Sequence, residues 1–247
     1  MTSISYQLYG SRNWPLDETM SMVSRAGYTQ VEGYGALLET PDPVLAALDA
    51  SGLRMTTAHF GLETLESDAS GPIALAKRLG LEAIFAPYIA AEDRPEDLAG
   101  WQAFAARLVE AGKPLQDAGL TFGWHNHDFE LVDLGNGITP LNVIAEASPD
   151  LCLELDLGWV IRAGGDPLDA IGKFAGQINA AHIKDIAPQG ENLDEDGWAD
   201  VGHGTVDWAP IHAALQKAGV KRYVVEHDNP NDHQRFAERS LKTVSDF

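Results

Sequence analysis

The chain has 247 residues, of which 45% are hydrophobic and 22% charged, and this ordinary globular composition excludes a disordered or collagen-like chain. It carries 37 Asp and Glu against 17 Lys and Arg, a formal net charge of −20. Such a charge repels duplex nucleic acid and anionic membrane surfaces over most of the protein surface. We therefore expect neither nucleic acid nor a membrane as a partner.

The cysteine content and the N-terminal segment indicate the cellular compartment. The single cysteine, Cys152, cannot form an intramolecular disulfide, and its apolar neighbours predict a buried, unreactive thiol. Residues 1–14 lack the basic and apolar regions of a signal peptide, and no run of about 18 apolar residues occurs in the sequence. These features predict a cytoplasmic protein.

A weak repeat punctuates the chain. In each copy an amphipathic helical pattern ends in a glycine that is followed at once by a short apolar run, as at Gly27, Gly52, Gly80, Gly119 and Gly219. Glycine closes helices because it adopts the left-handed conformation without a Cβ clash. The repeat predicts helices that lead directly into strands.

In chain order the strands are predicted near 3–9, 29–33, 54–59, 82–87, 120–125, 151–157, 179–183 and 222–227. The helices are predicted near 15–26, 41–50, 70–79, 95–117, 139–147, 167–175, 207–218 and 232–245. Strict alternation predicts parallel strands joined by helices. Eight units without a Gly/Pro/Ser-rich linker favour one closed (β/α)8 TIM barrel, a single domain over 1–247. An open doubly wound sheet is disfavoured because no glycine-rich phosphate loop follows the first strand.

Histidines gather where such a barrel has its working residues, at the carboxyl ends of the strands. Five of the eight fall at or just after a predicted strand end: His59, His125, His127, His182 and His227. His203 lies in a later loop, and His212 and His233 lie in predicted helices, where we expect them to be solvated. One strand-end histidine alone is more often structural, but five at one rim indicate a site.

Acidic residues share this rim. Glu130 follows the fifth strand, and Asp156 and Glu226 end the sixth and eighth. Uncompensated carboxylates inside a barrel cost several kcal/mol, and only Lys184 and Arg162 are nearby cations, so a divalent ion is the simplest neutraliser. A mostly oxygen ligand set favours Mn, Mg or Co, with Zn also open. The alternative is that Asp156 and Glu226 cap helices or anchor loops.

Three further features are open to two interpretations. Residues 202–208 (GHGTVDW) form either a lid or phosphate contact, or a plain turn that leads to a helix N-cap at Asp207. The acidic residues 191–200 predict a solvated loop with the mobility of a lid. Four tryptophans either wall a sugar pocket or pack in the core: Trp14, Trp124, Trp159 and Trp198.

Five short segments carry a family resemblance: 124–130 (WHNHDFE), 154–160 (ELDLGWV) with 163–167 (AGGDP), 182–185 (HIKD), 201–204 (VGHG) and 225–228 (VEHD). In this order they resemble the xylose-isomerase-like TIM-barrel superfamily, and within it the sugar phosphate isomerase/epimerase group, which shares its fold with apurinic endonuclease family 2. The N-terminal half matches only by its strand–helix rhythm and its opening strand.

The resemblance implies one divalent ion held by Glu130, Asp156, His182 and Glu226. Many relatives place the first glutamate inside the strand where this chain has His125, so His125 is the alternative ligand with Glu130 behind it. Relatives with an Asp-x-x-His motif use that histidine on the substrate. Here the position is Trp159, so the substrate contacts would differ.

The implied reaction is isomerisation or epimerisation of a keto sugar or related polyol through proton abstraction next to a carbonyl, with a metal-stabilised enediolate. Glu130 and Glu226 are the expected proton-transfer residues. The expected substrate contacts are His59, His125, His127, Trp159, Lys184 and His203.

Other functions remain open. A dehydratase or lyase acting on a 3-keto sugar begins with the same carbanion, and a non-catalytic sugar-binding barrel is the alternative from another class. Phosphodiester cleavage is disfavoured by the net charge. Because the sequence shows no Arg/Lys cluster at the rim, we expect an unphosphorylated substrate, and a homo-oligomer is possible.

Overall fold

The structure is a computed structural model that describes residues 2–247. Eight parallel strands close into a barrel. The barrel strands are β1 (Ser3–Gln7), β2 (Gln30–Gly33), β3 (Arg54–His59), β4 (Ala83–Ala86), β5 (Thr121–His125), β6 (Cys152–Asp156), β7 (Ile178–Ile183) and β10 (Arg222–Val225). Around the barrel they follow the order β1-β10-β7-β6-β5-β4-β3-β2. Two short strands, β8 (Asp185–Ile186) and β9 (Trp198–Ala199), pair antiparallel outside it. The predicted (β/α)8 barrel is confirmed.

Helices surround the barrel. They are α1 (Leu16–Ala26), α2 (Gly35–Leu38), α3 (Pro41–Ser51), α4 (Leu62–Ser67), α5 (Ser70–Leu79), α6 (Leu98–Asp117), α7 (Pro140–Glu146), α8 (Leu157–Arg162), α9 (Pro167–Phe174), α10 (Trp208–Lys217) and α11 (His233–Ser245). The eight predicted helices are confirmed to within a few residues. The short helices α2, α4 and α8 were not predicted, because each spans fewer than two full turns and leaves little periodicity to detect.

The glycine repeat is confirmed by backbone geometry. All five glycines have positive φ, with values of +110°, +70°, +76°, +84° and +79° for Gly27, Gly52, Gly80, Gly119 and Gly219. A side chain is strained in this conformation, so glycine ends each helix and turns the chain into the next strand.

The core has two parts. Apolar side chains between the barrel and its helices form one large buried cluster, and each fully buried Leu, Ile, Val or Phe in it contributes roughly 1.5–3 kcal/mol. A small separate cluster of Ala83, Phe85 and Ala180 packs between β4 and β7. Inside the barrel, polar side chains replace the apolar ones toward the carboxyl ends of the strands, which is where the site lies.

Several local expectations need correction. The first strand ends at Gln7 because residues 8–11 form a 3-10 helix, and the eighth barrel strand ends at Val225, so Glu226 lies just beyond it. His212 and His233 are not solvated but half-buried. Nδ1 of His212 lies 3.2 Å from the Tyr223 hydroxyl, whereas Nδ1 of His233 lies 3.0 Å from Oγ of Ser11.

Two further expectations change in part. Cys152 is half-buried rather than buried, and burial raises the pKa of its thiol. The acidic segment 191–200 is not uniformly solvated, because Glu195 and Trp198 are buried and β9 pairs with β8. Among residues 2–247, no helix is both long and apolar enough to cross a membrane.

Candidate metal centre at the mouth of the barrel

Four side chains from neighbouring strands meet at the carboxyl end of the barrel. His125 ends β5, Asp156 ends β6, His182 lies in β7 and Glu226 follows β10, and these strands are adjacent in the order β5-β6-β7-β10. One ligand atom from each lies within 4.8 Å of the others, and all four residues are buried. The predicted convergence of Asp156, His182 and Glu226 is therefore present in the structure.

Asp156 has one engaged and one unengaged carboxylate oxygen. Its Oδ1 accepts a hydrogen bond from the backbone N–H of Trp159 at 2.9 Å and so caps α8. Its Oδ2 is buried and finds no hydrogen-bond partner within residues 2–247. This atom lies 3.7 Å from Nζ of Lys184 and 3.8 Å from Nδ1 of His182. Burial raises the pKa of Asp156 to about 6. A buried, unpaired carboxylate oxygen fits a metal ligand.

His182 and Glu226 are in direct contact, with Nδ1 of His182 2.8 Å from Oε2 of Glu226. Burial alone would lower the pKa of His182, but Glu154 and Glu226 outweigh it and raise the pKa well above its ordinary value. Burial alone would raise the pKa of Glu226, but Lys184 and His182 outweigh it and lower the pKa well below its ordinary range. Glu226 is thus held as an anion.

Lys184 is the buried cation of the site. Its Nζ lies 2.6 Å from Oδ1 of Asp228 and 3.1 Å from Oε2 of Glu226. The rings of Trp198 and Trp159 lie 4.4 and 5.1 Å from Nζ. Burial acts to lower the pKa of Lys184, but the three carboxylates of Asp228, Glu226 and Asp156 raise it above its ordinary value. The contacts of Asp228 and Trp198 with Lys184 were not predicted from the sequence, although Asp228 follows Glu226 by only two residues.

Glu130 is not part of this cluster, which corrects its expected placement as a metal ligand and proton-transfer group. Residues 129–131 form a 3-10 turn that points the side chain back at β5. There its carboxylate accepts hydrogen bonds from Nε1 of Trp124 at 2.7 Å and from the backbone N–H of His127 at 2.9 Å. The side chain is fully buried, and burial raises its pKa to about 8.

His125 occupies the position that Glu130 was expected to fill. It is the alternative fifth-strand ligand, and it belongs to the converging set. Burial, with nearby His182 and His59, lowers its pKa well below the ordinary value, so the imidazole is neutral. Its Nδ1 lies 3.2 Å from Oε2 of Glu154 without the geometry of a hydrogen bond. A neutral imidazole is the form that binds metals.

A second polar layer lies behind the cluster, formed by His59, Glu32 and Glu154. Nε2 of His59 lies 2.6 Å from Oε2 of Glu154 and 3.3 Å from Oε1 of Glu32. Burial lowers the pKa of His59, but the two carboxylates outweigh it and raise the pKa to about 10. His59 is 7% exposed, so this expected substrate contact is instead paired with carboxylates of the protein.

Glu32 was not predicted to belong to the site, because acidic ligands were expected only after strands 5, 6 and 8. Glu32 lies in the second strand, in register with Gln7 of β1 and Thr57 of β3. The pairing of β2 with β3 shifts register between Val31 and Glu32, so the depth of Glu32 in the barrel is not evident from the sequence of one strand.

His127 and Trp159 lie at the mouth and remain candidates for substrate contact. Both are half-buried, and their ring centroids lie 5.2 Å apart. The ring centroid of Tyr88 lies 5.4 Å from that of His127. Burial lowers the pKa of His127 to about 3, so its imidazole is neutral at pH 7. Trp124 is a core residue, and Trp14 stacks on His233 at 4.1 Å.

His203 lies outside the converging ligand set, and its side chain is exposed, so its expected contact with substrate stays a prediction. The surrounding loop is anchored to buried Asp185, which accepts from the backbone N–H of Gly202 at 2.8 Å and from Nε1 of Trp208 at 3.0 Å. A Cβ on Gly204 would overlap Oδ1 of Asp185 and the carbonyl oxygen of Ile186, so only glycine fits. The segment is a turn that leads to the N-cap Asp207, not an open lid.

Comparison with known proteins agrees with this architecture. Residues 20–244 match the family model described as xylose isomerase-like TIM barrel. An inosose dehydratase from Lacticaseibacillus casei is 22% identical over 245 residues, which cover 85% of this chain and 80% of that protein.

Two solved structures share the fold. A sugar phosphate isomerase/epimerase from Parabacteroides distasonis has a TM-score of 0.82 at 18% identity and covers 98% of this chain and 93% of its own. The IolI protein with bound zinc has a TM-score of 0.77 at 16% identity and covers 100% of this chain and 97% of its own. The chain belongs to the xylose isomerase-like TIM-barrel family.

Proposed function

We propose that the chain is a divalent-metal-dependent enzyme that removes a proton next to the carbonyl of a keto sugar or related polyol, with isomerisation or epimerisation as the outcome. The observation that carries the proposal is the buried convergence of His125, Asp156, His182 and Glu226, in which Oδ2 of Asp156 has no partner among the described residues. The isomerase/epimerase and zinc-containing structural neighbours support it.

His125, Asp156, His182 and Glu226 would hold the ion. Two carboxylates and two imidazoles, both of which would be neutral with the ion bound, would balance one doubly positive charge and suit Mn, Co or Zn better than Mg, which prefers oxygen ligands. When bound, such an ion supplies Lewis acidity to a carbonyl oxygen and its neighbouring hydroxyl.

The protein's own residues divide the remaining work. Glu226, whose carboxylate is kept ionised by Lys184 and His182, is the proposed proton acceptor, and in isomerisation it returns the same proton to the adjacent carbon. The Lys184 ammonium, which is buried and paired with Asp228 and Glu226, orients these carboxylates rather than a substrate oxygen. The neutral imidazole of His127 provides a hydrogen-bonding group at the mouth. Glu130 takes no part in proton transfer, because its carboxylate is engaged by Trp124 and His127.

Dehydration is the second candidate. The curated relatives that align with most of the chain, from Lacticaseibacillus casei and Clostridium beijerinckii, are named inosose dehydratases. With Glu130 turned away, Glu226 is the proton-accepting carboxylate in the cluster, and elimination needs one such group. In that reaction Glu226 takes the proton from carbon, the neighbouring C–O bond breaks, and the proton leaves with the hydroxyl as water.

We further propose an unphosphorylated substrate. The rim arginines donate to protein oxygens: Arg12 Nη1 to the carbonyl of Tyr9 at 3.0 Å, Arg94 Nη2 to the hydroxyl of Tyr88 at 2.9 Å, and Arg162 Nη2 to the carbonyl of Asp196 at 2.9 Å.

The test incubates keto sugars and keto-inositols in D2O with Mn²⁺-loaded protein and, in parallel, with protein kept in chelator. Protein and Mn²⁺ are then removed, and the small molecules are analysed by NMR. Deuterium in recovered substrate or in an epimer supports isomerisation, and an unsaturated ketone formed with loss of water supports dehydration. Absence of both at saturating Mn²⁺ would overturn the proposal and favour a sugar-binding barrel.

A further inference from the structure

The imidazole of His182 bridges the two polar layers of the barrel. On the mouth side its Nδ1 lies 2.8 Å from Oε2 of Glu226 and 3.8 Å from Oδ2 of Asp156. On the inner side its Nε2 lies 2.9 Å from Oε1 of Glu32. The ring is fully buried, so both nitrogens meet carboxylates of the protein rather than water.

Glu32 is held in place by the strands on both sides of it. Nε2 of Gln7, on β1, donates to Oε1 of Glu32 at 2.7 Å. Oγ1 of Thr57, on β3, donates to Oε2 at 2.5 Å. Gln7 and Thr57 are the register partners of Glu32, and all three are buried. Hydrogen bonds from the two neighbouring strands therefore hold the Glu32 carboxylate in place independently of His182.

Glu154 also approaches Nε2 of His182, at 3.2 Å, but its shortest contact is the one at 2.6 Å to His59. Its other oxygen, Oε1, is buried and has no partner in the described part of the chain. Glu154 is therefore paired with His59, and Glu32 is the main acceptor for His182.

A neutral imidazole has one N–H and one lone pair, and an ionised carboxylate only accepts hydrogen bonds. Carboxylates face both nitrogens, Glu226 at Nδ1 and Glu32 at Nε2, so each accepts one N–H of the ring. An ion held at Nδ1 would replace the proton there, and Glu32 would keep the remaining N–H on Nε2. Histidines that bind metals commonly donate their other N–H to a carboxylate, which fixes the tautomer and the ring orientation.

We propose that Glu32 is a positioning residue that holds the Nε2–H of His182 and so presents Nδ1 to the divalent ion. The inference rests on the proposed function, because it requires that the cluster bind a metal. Glu32 itself contacts neither ion nor substrate, and it acts through His182.

The first test compares Zn²⁺ dissociation constants, measured by competition with a chromophoric chelator, for wild type, Glu32→Met and Glu32→Gln. Removing the acceptor in Glu32→Met should weaken binding about 10- to 100-fold, the usual effect of losing such a partner. Glu32→Gln should weaken it less, because an amide oxygen still accepts.

The matched control is Glu195→Gln. Glu195 is also buried and hydrogen-bonded, to the backbone N–H of Asn231 at 2.6 Å and to Arg235 at 2.7 Å, but it lies in a loop outside the barrel. Its variant should bind Zn²⁺ as tightly as wild type. A purely structural role for Glu32 would lower the melting temperature without changing the affinity of the folded protein.

The second test needs no variant. In ¹⁵N-histidine NMR of the Zn²⁺-loaded wild type, His182 should show a protonated Nε2 and a metal-shifted Nδ1. A metal-bound Nε2, or a folded Glu32→Met protein with wild-type affinity, overturns the inference and leaves the proposed function standing. If wild type binds no divalent ion, the proposed function fails, and the inference fails with it.

Discussion

The ammonium of Lys184 and the carboxylate of Glu226 form a buried ion pair at 3.1 Å, and this same carboxylate is a candidate metal ligand. Lys184 also contacts Asp228 at 2.6 Å and lies 3.7 Å from Asp156. One permanent cation thus faces three carboxylates. A divalent ion would supply the charge that the lysine alone does not.

We therefore predict that Lys184→Met destabilises the metal-free protein more than the metal-loaded protein. Removing one partner of a buried ion pair costs about 3–5 kcal/mol of folding free energy. A divalent ion would partly compensate the carboxylate charge that Lys184→Met leaves unpaired. Thermal denaturation in chelator and in excess Mn²⁺ measures the difference. Lys113→Met, which removes a lysine of an exposed pair with Glu110, is the control and should change little in either condition. Equal destabilisation of the Lys184 variant in both conditions would contradict the prediction.

His125 and Glu130 should respond oppositely to substitution. His125→Asn should weaken Mn²⁺ binding at least about 10-fold, because it removes an imidazole that would bind the ion directly. Glu130→Gln should retain Mn²⁺ affinity but lose about 1–3 kcal/mol of stability, since one amide oxygen cannot accept from both Trp124 and His127. Isothermal titration and urea denaturation of both variants separate the two effects. The reverse pattern would return Glu130 to the ligand set.

Asp156→Asn should separate helix capping from metal binding. Asparagine caps helices as well as aspartate does, so α8 should remain intact. Because burial raises the pKa of Asp156, the metal-free variant should be at least as stable as wild type at neutral pH. The increase in melting temperature on adding Mn²⁺ should disappear. A variant that keeps this increase would show that Asp156 is not a ligand.

Glu226→Gln should abolish turnover and leave the fold intact. A positioned acid–base group contributes roughly 10²–10⁴-fold to rate, and loss of a ligand adds to this. The readout is deuterium exchange into substrate at saturating Mn²⁺, with circular dichroism as the check on folding. Glu238→Gln, at an exposed site on α11, should behave as wild type. Near-normal exchange by the Glu226 variant would remove this residue from the mechanism.

The pKa of Glu130, raised by burial from 4.5 to about 8, predicts a pH dependence of stability. Between these values the folded state keeps a proton that the unfolded state releases, so stability falls as pH rises. The stability of wild type minus that of Glu130→Gln should decrease from pH 5 to pH 8 and then level off. Urea unfolding at pH 5, 7 and 9 measures the trend. A difference that is flat with pH would mean that Glu130 is ionised throughout.

The sequence was sufficient for the barrel because helix-ending glycines and apolar runs are local signals. It also predicted that Asp156, His182 and Glu226 meet, since the carboxyl ends of parallel strands share one rim. Glu130 was misplaced because its direction depends on a single 3-10 turn and on the indole N–H of Trp124. Spacing along the chain carries neither signal.

Glu32 and His59 illustrate what pairing between strands adds. Their contacts with His182 and Glu154 cross the barrel interior, and the register of β2 with β3 and of β6 with β7 is irregular. Alternation along one strand therefore does not give the depth at which each side chain sits. Only the closed sheet defines the inner polar layer.

Asp156 is both the N-cap of α8 and a candidate metal ligand, and these two roles limit which substitutions this position can tolerate in evolution. Asparagine or serine would preserve the helix start but remove the anion, whereas glutamate would preserve the anion but cap poorly. In a related barrel that no longer binds the ion but keeps the fold, we expect asparagine or serine at the position of Asp156. The identity of that one side chain is thus an inexpensive marker for sorting ion-dependent members from ion-free ones.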